Sequence, residues 1–350
     1  MNDSEIHFVT HNLMIQRNRK LVSSLSKKYR VGYIKSLFKY NQNRLLKTDM
    51  VSIFRLCELG LKSLITDTPI LLDVLAGVFF PSHLKNYVLD YATPYALELD
   101  WLGYHTLSKI VAKQEQCLVK NAVSVLVPNE LLEKHARSMG ATNVTIVPNY
   151  PNYYFRSTTA QKDFRKSVEI PDNSKVAVFT AAGRLEEIYG LTLLLQSWKI
   201  VEENHDDSIL VIVGPKPDSD VPKSKIISRA KDMQIRNLRV TGWVSNEQLP
   251  NWVNIADVCL APRTVGFPVE WYNDKDSTKL SEYAALAKPI VATGYSFSDQ
   301  YLLVDQSPEA FADGIMKAFE GRIGTSKPHY WEDTEPLLLK SIEHSLLKSY

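Results

Sequence analysis

Apolar and polar positions in the second half of the chain alternate between short apolar runs and longer stretches of helical spacing. Residues 175–180, 209–213, 238–240, 258–261 and 289–293 read as strands, with 209–213 a continuous apolar run ending at Gly214-Pro215. Between them, 190–203, 223–233, 247–254 and 277–287 read as helices. Strands alternating with helices predict a parallel sheet covered on both faces, doubly wound and Rossmann-like. The first half repeats the alternation less clearly. Residues 6–9 and 123–127 read as strands, 129–139 as a helix and 144–147 as a further strand. Residues 30–34, 70–72 and 87–90 are weaker strand candidates, some with helical alternatives. The cluster Pro148-Asn149-Tyr150-Pro151-Asn152 is a strong breaker, and the domain boundary is placed after it.

A chain of 350 residues suggests two domains of ordinary size, and 45% hydrophobic with 23% charged residues is a globular composition. The net charge of +2 says little as a total, but its distribution is uneven. Between Glu5 and Asp49 there is no acid, against ten basic residues: Arg17, Arg19, Lys20, Lys27, Lys28, Arg30, Lys35, Lys39, Arg44 and Lys47. They are interleaved with Leu21, Val22, Leu25, Tyr29, Ile34, Leu37, Phe38 and Tyr40. That mixture fits peripheral docking on an anionic membrane surface, or a solvated basic face around an ordinary core. No nucleic-acid module accompanies it, so nucleic acid is not an expected partner. Cys57, Cys117 and Cys259 form no Cys-x-x-Cys, which argues against a zinc site or disulfide framework. The polar start is not a signal peptide, and the run 69–80 is too short to span a bilayer. Both point to the cytoplasm.

Chemistry is concentrated after residue 180. In Ser277-Thr278-Lys279-Leu280-Ser281-Glu282-Tyr283, the first two residues suit a helix start and Glu282 shares the polar side with Lys279. A carboxylate there accepts both hydroxyls of a ribose, while the free N–H groups of the helix start face an anion. The turn Ala181-Ala182-Gly183-Arg184 ends a strand. Gly183 lets backbone approach a ligand, and the fork of Arg184 matches diphosphate oxygens or, alternatively, pairs with Glu186 or Glu187. Lys216, at the end of another strand, is a weaker phosphate candidate.

The segment from Lys279 through Glu282, Tyr283, Ala285 and Pro289 resembles the donor-binding helix of retaining GT-B glycosyltransferases of the family 4 type. Ile290 and Val291 replace the usual two valines. The resemblance covers roughly residues 120–350 and is weak before that. It implies two Rossmann-like domains facing across a cleft: an acceptor-side domain over 1–152, a donor domain over 153–327, and a helix over 328–350 that crosses back to the first domain. A plain terminal helix on the second domain is the alternative for that tail. The Gly183-Arg184-Leu185 turn resembles the family's diphosphate element, although the family's following Lys is Tyr189 here. The family's paired glutamates become Asp274 and Glu282, with Glu270 of the right type at the wrong spacing. Trp243 and Val244, in the turn after a strand, correspond to the wall beside the nucleotide base. Asp90, then His83 and His105, are the acceptor-side candidates. His7 and His11 flank a first turn that lacks the paired glycines of many relatives.

Carried over, the resemblance makes Arg184, Asp90 and Asp274 catalytic candidates. Gly183, Arg184, Trp243, Val244, Ser277, Thr278, Lys279 and Glu282 are the donor-binding candidates. It implies hexosyl transfer from a UDP- or GDP-linked sugar to a lipid-linked or cell-envelope glycan, with retention of configuration and no metal or resident cofactor. A non-catalytic sugar-nucleotide-binding protein of the same fold is the alternative, motivated by Tyr189. A Rossmann oxidoreductase is disfavoured, because Thr10-His11-Asn12-Leu13 stands where a Gly-x-Gly-x-x-Gly would follow the first strand.

Overall fold

A computed structural model describes residues 5–10, 16–35, 69–77, 86–267 and 271–347. His11, Leu37, Phe38, Lys39, Tyr40, Arg44, Lys47, Cys57, His83 and Glu270 lie outside the described residues. The chain divides into two units, Met1–Asn149 with Trp331–Tyr350, and Tyr150–Tyr330. The fold is α/β, with a parallel, doubly wound Rossmann-like sheet in each unit.

The first unit orders its strands β2-β1-β3-β4-β5-β6, with β1 Glu5–Thr10, β2 Arg30–Lys35, β3 Ile70–Asp73, β4 Tyr87–Asp90, β5 Ser124–Val127 and β6 Val144–Ile146. Every pairing is parallel. Pairing on both sides of β1 and β3 decides the strand reading for 30–34 and 70–72, which local pattern left open. The helices are α1 Gln16–Ser26, α2 Val74–Gly77, α3 Tyr95–Trp101, α4 His105–Asn121 and α5 Glu130–Ser138. The last helix of the chain, Trp331–Ile342, puts Trp331, Leu338 and Ile342 into one core with Ile6, Phe8, Leu21 and Leu25. The indole N–H of Trp331 donates to Ser24 Oγ at 2.9 Å.

This packing takes up much of the basic stretch. Arg17 is buried, and its guanidinium donates to both oxygens of Asp90 and to the Val147 carbonyl. Lys20 is buried against Asn149 and lies over the Trp331 ring. Lys27 pairs with Glu335 at 2.7 Å, and Lys28 pairs with Glu343. Leu21, Leu25 and Tyr29 are core residues, so they are withdrawn from any bilayer contact. Of the basic residues through Arg30, Arg19 and Arg30 are exposed and make no ion pair among the described residues.

The second unit orders its strands β12-β11-β10-β7-β8-β9. They are β7 Lys175–Thr180, β8 Ser208–Val213, β9 Leu238–Gly242, β10 Val258–Ala261, β11 Ile290–Ala292 and β12 Leu302–Leu303, again all parallel. The helices are α6 Gln161–Ser167, α7 Leu191–Asn204, α8 Lys223–Asp232, α9 Leu249–Asn254, α10 Thr278–Ala285 and α11 Pro308–Phe319. Phe179, Leu194, Trp198, Ile212, Phe311 and Ile315 share its core. From β7 the chain winds outward through β8 and β9, then returns to place β10 on the other side of β7. The order of strands therefore reverses between β7 and β10, and the loops after these two strands lie at the carboxyl edge of the sheet, where ligands of such sheets bind. Cys259 is fully buried in β10, where burial pushes its thiol up out of the reactive range.

Candidate functional site

The loop after β7 is held in place before any ligand arrives. Asp220 accepts the backbone N–H groups of Leu185, Glu186 and Glu187 at 2.7, 3.0 and 3.2 Å. Burial opposes the Asp220 charge, but these bonds and that of Ser219 outweigh it and hold the pKa below the ordinary carboxylate value. Thr264, in the loop after β10, donates to the Glu186 carbonyl and accepts from the Gly190 N–H. Gly190 has φ of +54°, and a Cβ there would sit 2.7 Å from the Arg263 carbonyl oxygen, so a side chain is excluded. Gly214, at the end of β8, has φ of +128°, and its Cβ would fall 1.9 Å from the Ala181 carbonyl oxygen. Glycine is what lets the loops after β7 and β8 meet.

Helix α10 is anchored to the sheet by Tyr283. Its hydroxyl accepts the Thr180 N–H at 2.8 Å, lies 3.0 Å from Thr180 Oγ1, and donates to the Leu260 carbonyl at 3.3 Å. One fully buried phenol thus joins the helix to the ends of β7 and β10. The helix start is at Ser277, whose side chain makes no capping hydrogen bond. Lys279 is 7% exposed, and its ammonium has no hydrogen-bond partner among the described residues. It sits between two rings, 4.0 Å from the centre of Phe179 and 3.9 Å from that of Tyr189. Burial pushes its pKa well below the ordinary lysine value; the charge of Arg263 adds to this, and Glu282 opposes it. Glu282 follows nearly one turn later and is also buried.

Arg263, in the loop after β10, is the site residue that the sequence reading missed. It is 6% exposed and surrounded by Phe267, Tyr295, Tyr272 and Tyr189, with its Cζ 4.6, 4.6, 5.1 and 5.5 Å from their ring centres. Its Nε is buried without a partner among the described residues. The available signal was an arginine two residues after a fully apolar strand, followed closely by Phe267, Trp271 and Tyr272. Two acids of the same loop, Asp274 and Asp276, lie among the described residues. Burial raises Asp276 to about 7, against the pull of the Asn273 N–H at 2.6 Å and of Arg263. Asp274 is buried and raised by that burial, with Ser298 opposing through a hydrogen bond.

The expected residues do not all converge. Ser277, Thr278, Lys279 and Glu282 belong to one helix start, and Tyr189 joins them to the loop after β7. Gly183 is half-buried in that loop. Arg184 is half-buried with φ of +54°, and it forks onto Glu187 at 2.9 and 3.1 Å, the alternative left open for it. Trp243 is 52% exposed, beside half-buried Val244, with Lys216 Nζ 4.6 Å from its ring centre. Trp243 is therefore not core. Asp90 lies in the first unit with both oxygens taken by buried Arg17; burial raises its pKa and Arg17 lowers it. His105 is exposed and pairs with Asp100. No group of three or more His, Cys, Asp and Glu side chains able to hold a metal occurs among the described residues.

Comparison with known proteins bears on this edge of the second unit. Residues 176–320 match the family Glycosyl transferases group 1. Lipopolysaccharide 1,2-N-acetylglucosaminetransferase of Salmonella typhimurium is 27% identical over 154 residues, 42% of this chain and 40% of that protein. The chain spans half the length or less of the curated relatives it matches. In fold it is similar to sucrose-phosphate synthase of Thermosynechococcus elongatus, with a TM-score of 0.65 at 13% identity, covering 98% of this chain and 95% of that one. HepE of Anabaena, solved in complex with UDP-glucose, has a TM-score of 0.64 at 10% identity, covering 98% of this chain and 95% of that one. At such identities the structural likeness concerns the fold alone.

Proposed function

We propose that this chain is a retaining glycosyltransferase that moves a hexosyl group from a nucleoside-diphosphate sugar to a lipid-linked or cell-envelope glycan. The observation that carries the reading is the buried ammonium of Lys279, without a hydrogen-bond partner among the described residues, nearly one helical turn from buried Glu282 at the switch point of the sheet. A buried cation without a partner is costly unless an anion comes to it. A carboxylate beside it suits the hydroxyls of a ribose, so the pair fits a nucleotide diphosphate. The match of residues 176–320 supports the enzyme class, and the Salmonella relative supports an envelope glycan as the product. The Anabaena protein's complex with UDP-glucose supports a uridine nucleotide as donor, with a guanosine nucleotide as the alternative base.

In this reading the acceptor oxygen attacks the anomeric carbon on the face that the diphosphate leaves. The carbon–oxygen bond to the leaving group breaks, and a phosphate oxygen takes the acceptor's proton. The protein's part is to orient the reactants and neutralise charge growing on the leaving group. Asp274 and the N–H groups leading to Thr278 face the sugar, and Trp243 and Val244 border the base. Asp90, saturated by Arg17, positions the first unit's α1. Peripheral docking of the first unit rests on exposed Arg19 and Arg30. Among the described residues no helix is long and apolar enough to cross a membrane.

A binding-only protein is the second reading, favoured by Tyr189 where the resembling family has a lysine and by the Arg184–Glu187 pair. A thermal-shift screen of UDP-, GDP- and ADP-sugars, followed by product analysis by NMR, tests both. A ligand at 100 times its Kd should stabilise the chain by about 2.7 kcal/mol. No shift with any of them refutes the donor reading. A shift without turnover on any glycan acceptor selects the binding-only protein, and an inverted anomer refutes retention.

A further inference from the structure

We propose that Arg263, acting with Lys279 across the Tyr189 ring, is the guanidinium that receives the donor's phosphate, and that Arg184 is not. The inference rests on the donor reading above and adds the identity of the arginine. Arg184 is already satisfied. Its fork is closed on the Glu187 carboxylate, and its backbone belongs to the loop that Asp220 clamps through three N–H groups. A phosphate arriving there must displace a bidentate carboxylate from a half-exposed site, where the exchange gains little.

Arg263 is in the opposite condition. It is buried, its Nε is without a partner among the described residues, and four aromatic rings surround its guanidinium. Rings relieve part of the cost of a buried cation, but they do not accept the directed bonds that a guanidinium fork offers. Its backbone is also held in place: the carbonyl accepts from Gln306 Nε2 at 3.3 Å, and Gly190 leaves space against it that any side chain would fill. Tyr189 touches both cations, its ring centre 3.9 Å from Lys279 Nζ and 5.5 Å from Arg263 Cζ, so the two charges share one ring. The acids facing them are Asp276 on the Arg263 side and Glu282 on the Lys279 side, and burial leaves Asp276 only partly ionised near neutrality. Two buried cations beside one ring at the switch point of the sheet, each with a donor atom that has no partner among the described residues, fit the doubly charged diphosphate rather than a single carboxylate.

Calorimetry on the full chain with inorganic pyrophosphate, UDP and GDP tests this. The Arg263→Met variant should lose roughly 10- to 100-fold in affinity for pyrophosphate, the range of a charged hydrogen bond, and Arg184→Met at most about threefold. Lys279→Met should lose affinity as Arg263→Met does, and the double variant should lose less than the product of the two, because both serve one anion. Should Arg263→Met fail to fold, arginine Nε–H NMR of the unaltered chain supplies the second measurement. Pyrophosphate should shift the signal that is absent from Arg263→Lys and leave that of Arg184 in place. Unchanged affinity in folded Arg263→Met, or a larger loss in Arg184→Met, overturns the assignment while the donor reading stands. A wild-type chain that binds no pyrophosphate, UDP or GDP overturns both.

Discussion

Replacing Tyr283 by Phe removes one oxygen atom from the point where α10 meets the sheet. Tyr283 is fully buried, and Phe fills nearly the same space, so packing changes little. What changes is hydrogen bonding. The Thr180 N–H, which donates to the phenol at 2.8 Å, is left in a dry environment, and Thr180 Oγ1 and the Leu260 carbonyl lose a neighbour at 3.0 and 3.3 Å. An unpaired buried donor costs about 1–3 kcal/mol. For a domain of this size that corresponds to a fall in Tm of roughly 2–12 °C. Thermal denaturation followed by circular dichroism measures the fall. Thr180→Val serves as the control that removes the hydroxyl and keeps the N–H, and it should cost less. Because Glu282 and Lys279 ride on the same helix, affinity for the donor nucleotide should drop in the Phe variant as well. A folded variant within about 0.5 kcal/mol of wild type would show that the phenol does not anchor α10, and the argument for a pre-set Glu282 would go with it.

Glu282→Ala should weaken donor binding by about 1.5–3 kcal/mol, the value of a charged hydrogen bond, and unchanged affinity by calorimetry in a folded variant would remove Glu282 from the ribose. Burial raises Glu115 to about 7, against hydrogen bonds from the Ala96 and Tyr95 N–H groups and the Tyr91 hydroxyl. The folded chain therefore keeps a proton that the unfolded chain releases above its ordinary value near 4.5. That stabilisation is full below pH 4.5 and is lost as pH rises through about 7. Denaturant titrations at pH 5 and 8 should show wild type losing stability relative to Glu115→Gln, and parallel pH profiles would refute this. Flotation with vesicles should show binding that requires anionic lipid, fades with salt and is lost in Arg19→Glu/Arg30→Glu; each basic residue contributes on the order of 1 kcal/mol. Equal recovery with neutral vesicles, or none with either, would remove the membrane reading.

What the sequence determined by itself is the local geometry of the second unit and the placing of the helix that carries Lys279 and Glu282. The runs over 175–180 and 209–213 and the Lys-x-x-Glu-Tyr spacing carry strand and helix identity within a few residues. Burial on both faces leaves little freedom in such segments, so local pattern suffices. The first unit was less legible. Helix His105–Asn121 went unread because its buried Val111, Leu118 and Val119 are diluted by lysines and glutamines and no side-chain cap marks its start. Residues 30–34 became a strand through pairing on β1, and 70–72 through pairing on β1 and β4.

Only the tertiary structure decided which charges are spent and which remain available. Arg17 meets Asp90, Lys27 meets Glu335 and Lys28 meets Glu343, partners 73, 308 and 315 positions away, so three of the basic residues that crowd together in sequence are neutralised in space. The same selection works at the carboxyl edge of the second unit's sheet. Arg184 is conspicuous in sequence, and a local turn closes it on Glu187. Arg263 is inconspicuous, and long-range packing leaves it caged by rings, with no partner for its Nε among the described residues. Periodicity reports how a side chain faces its own helix or strand. Whether a charge finds a partner depends on what the fold brings against it from elsewhere in the chain, and that second question selects the residues left to meet a ligand.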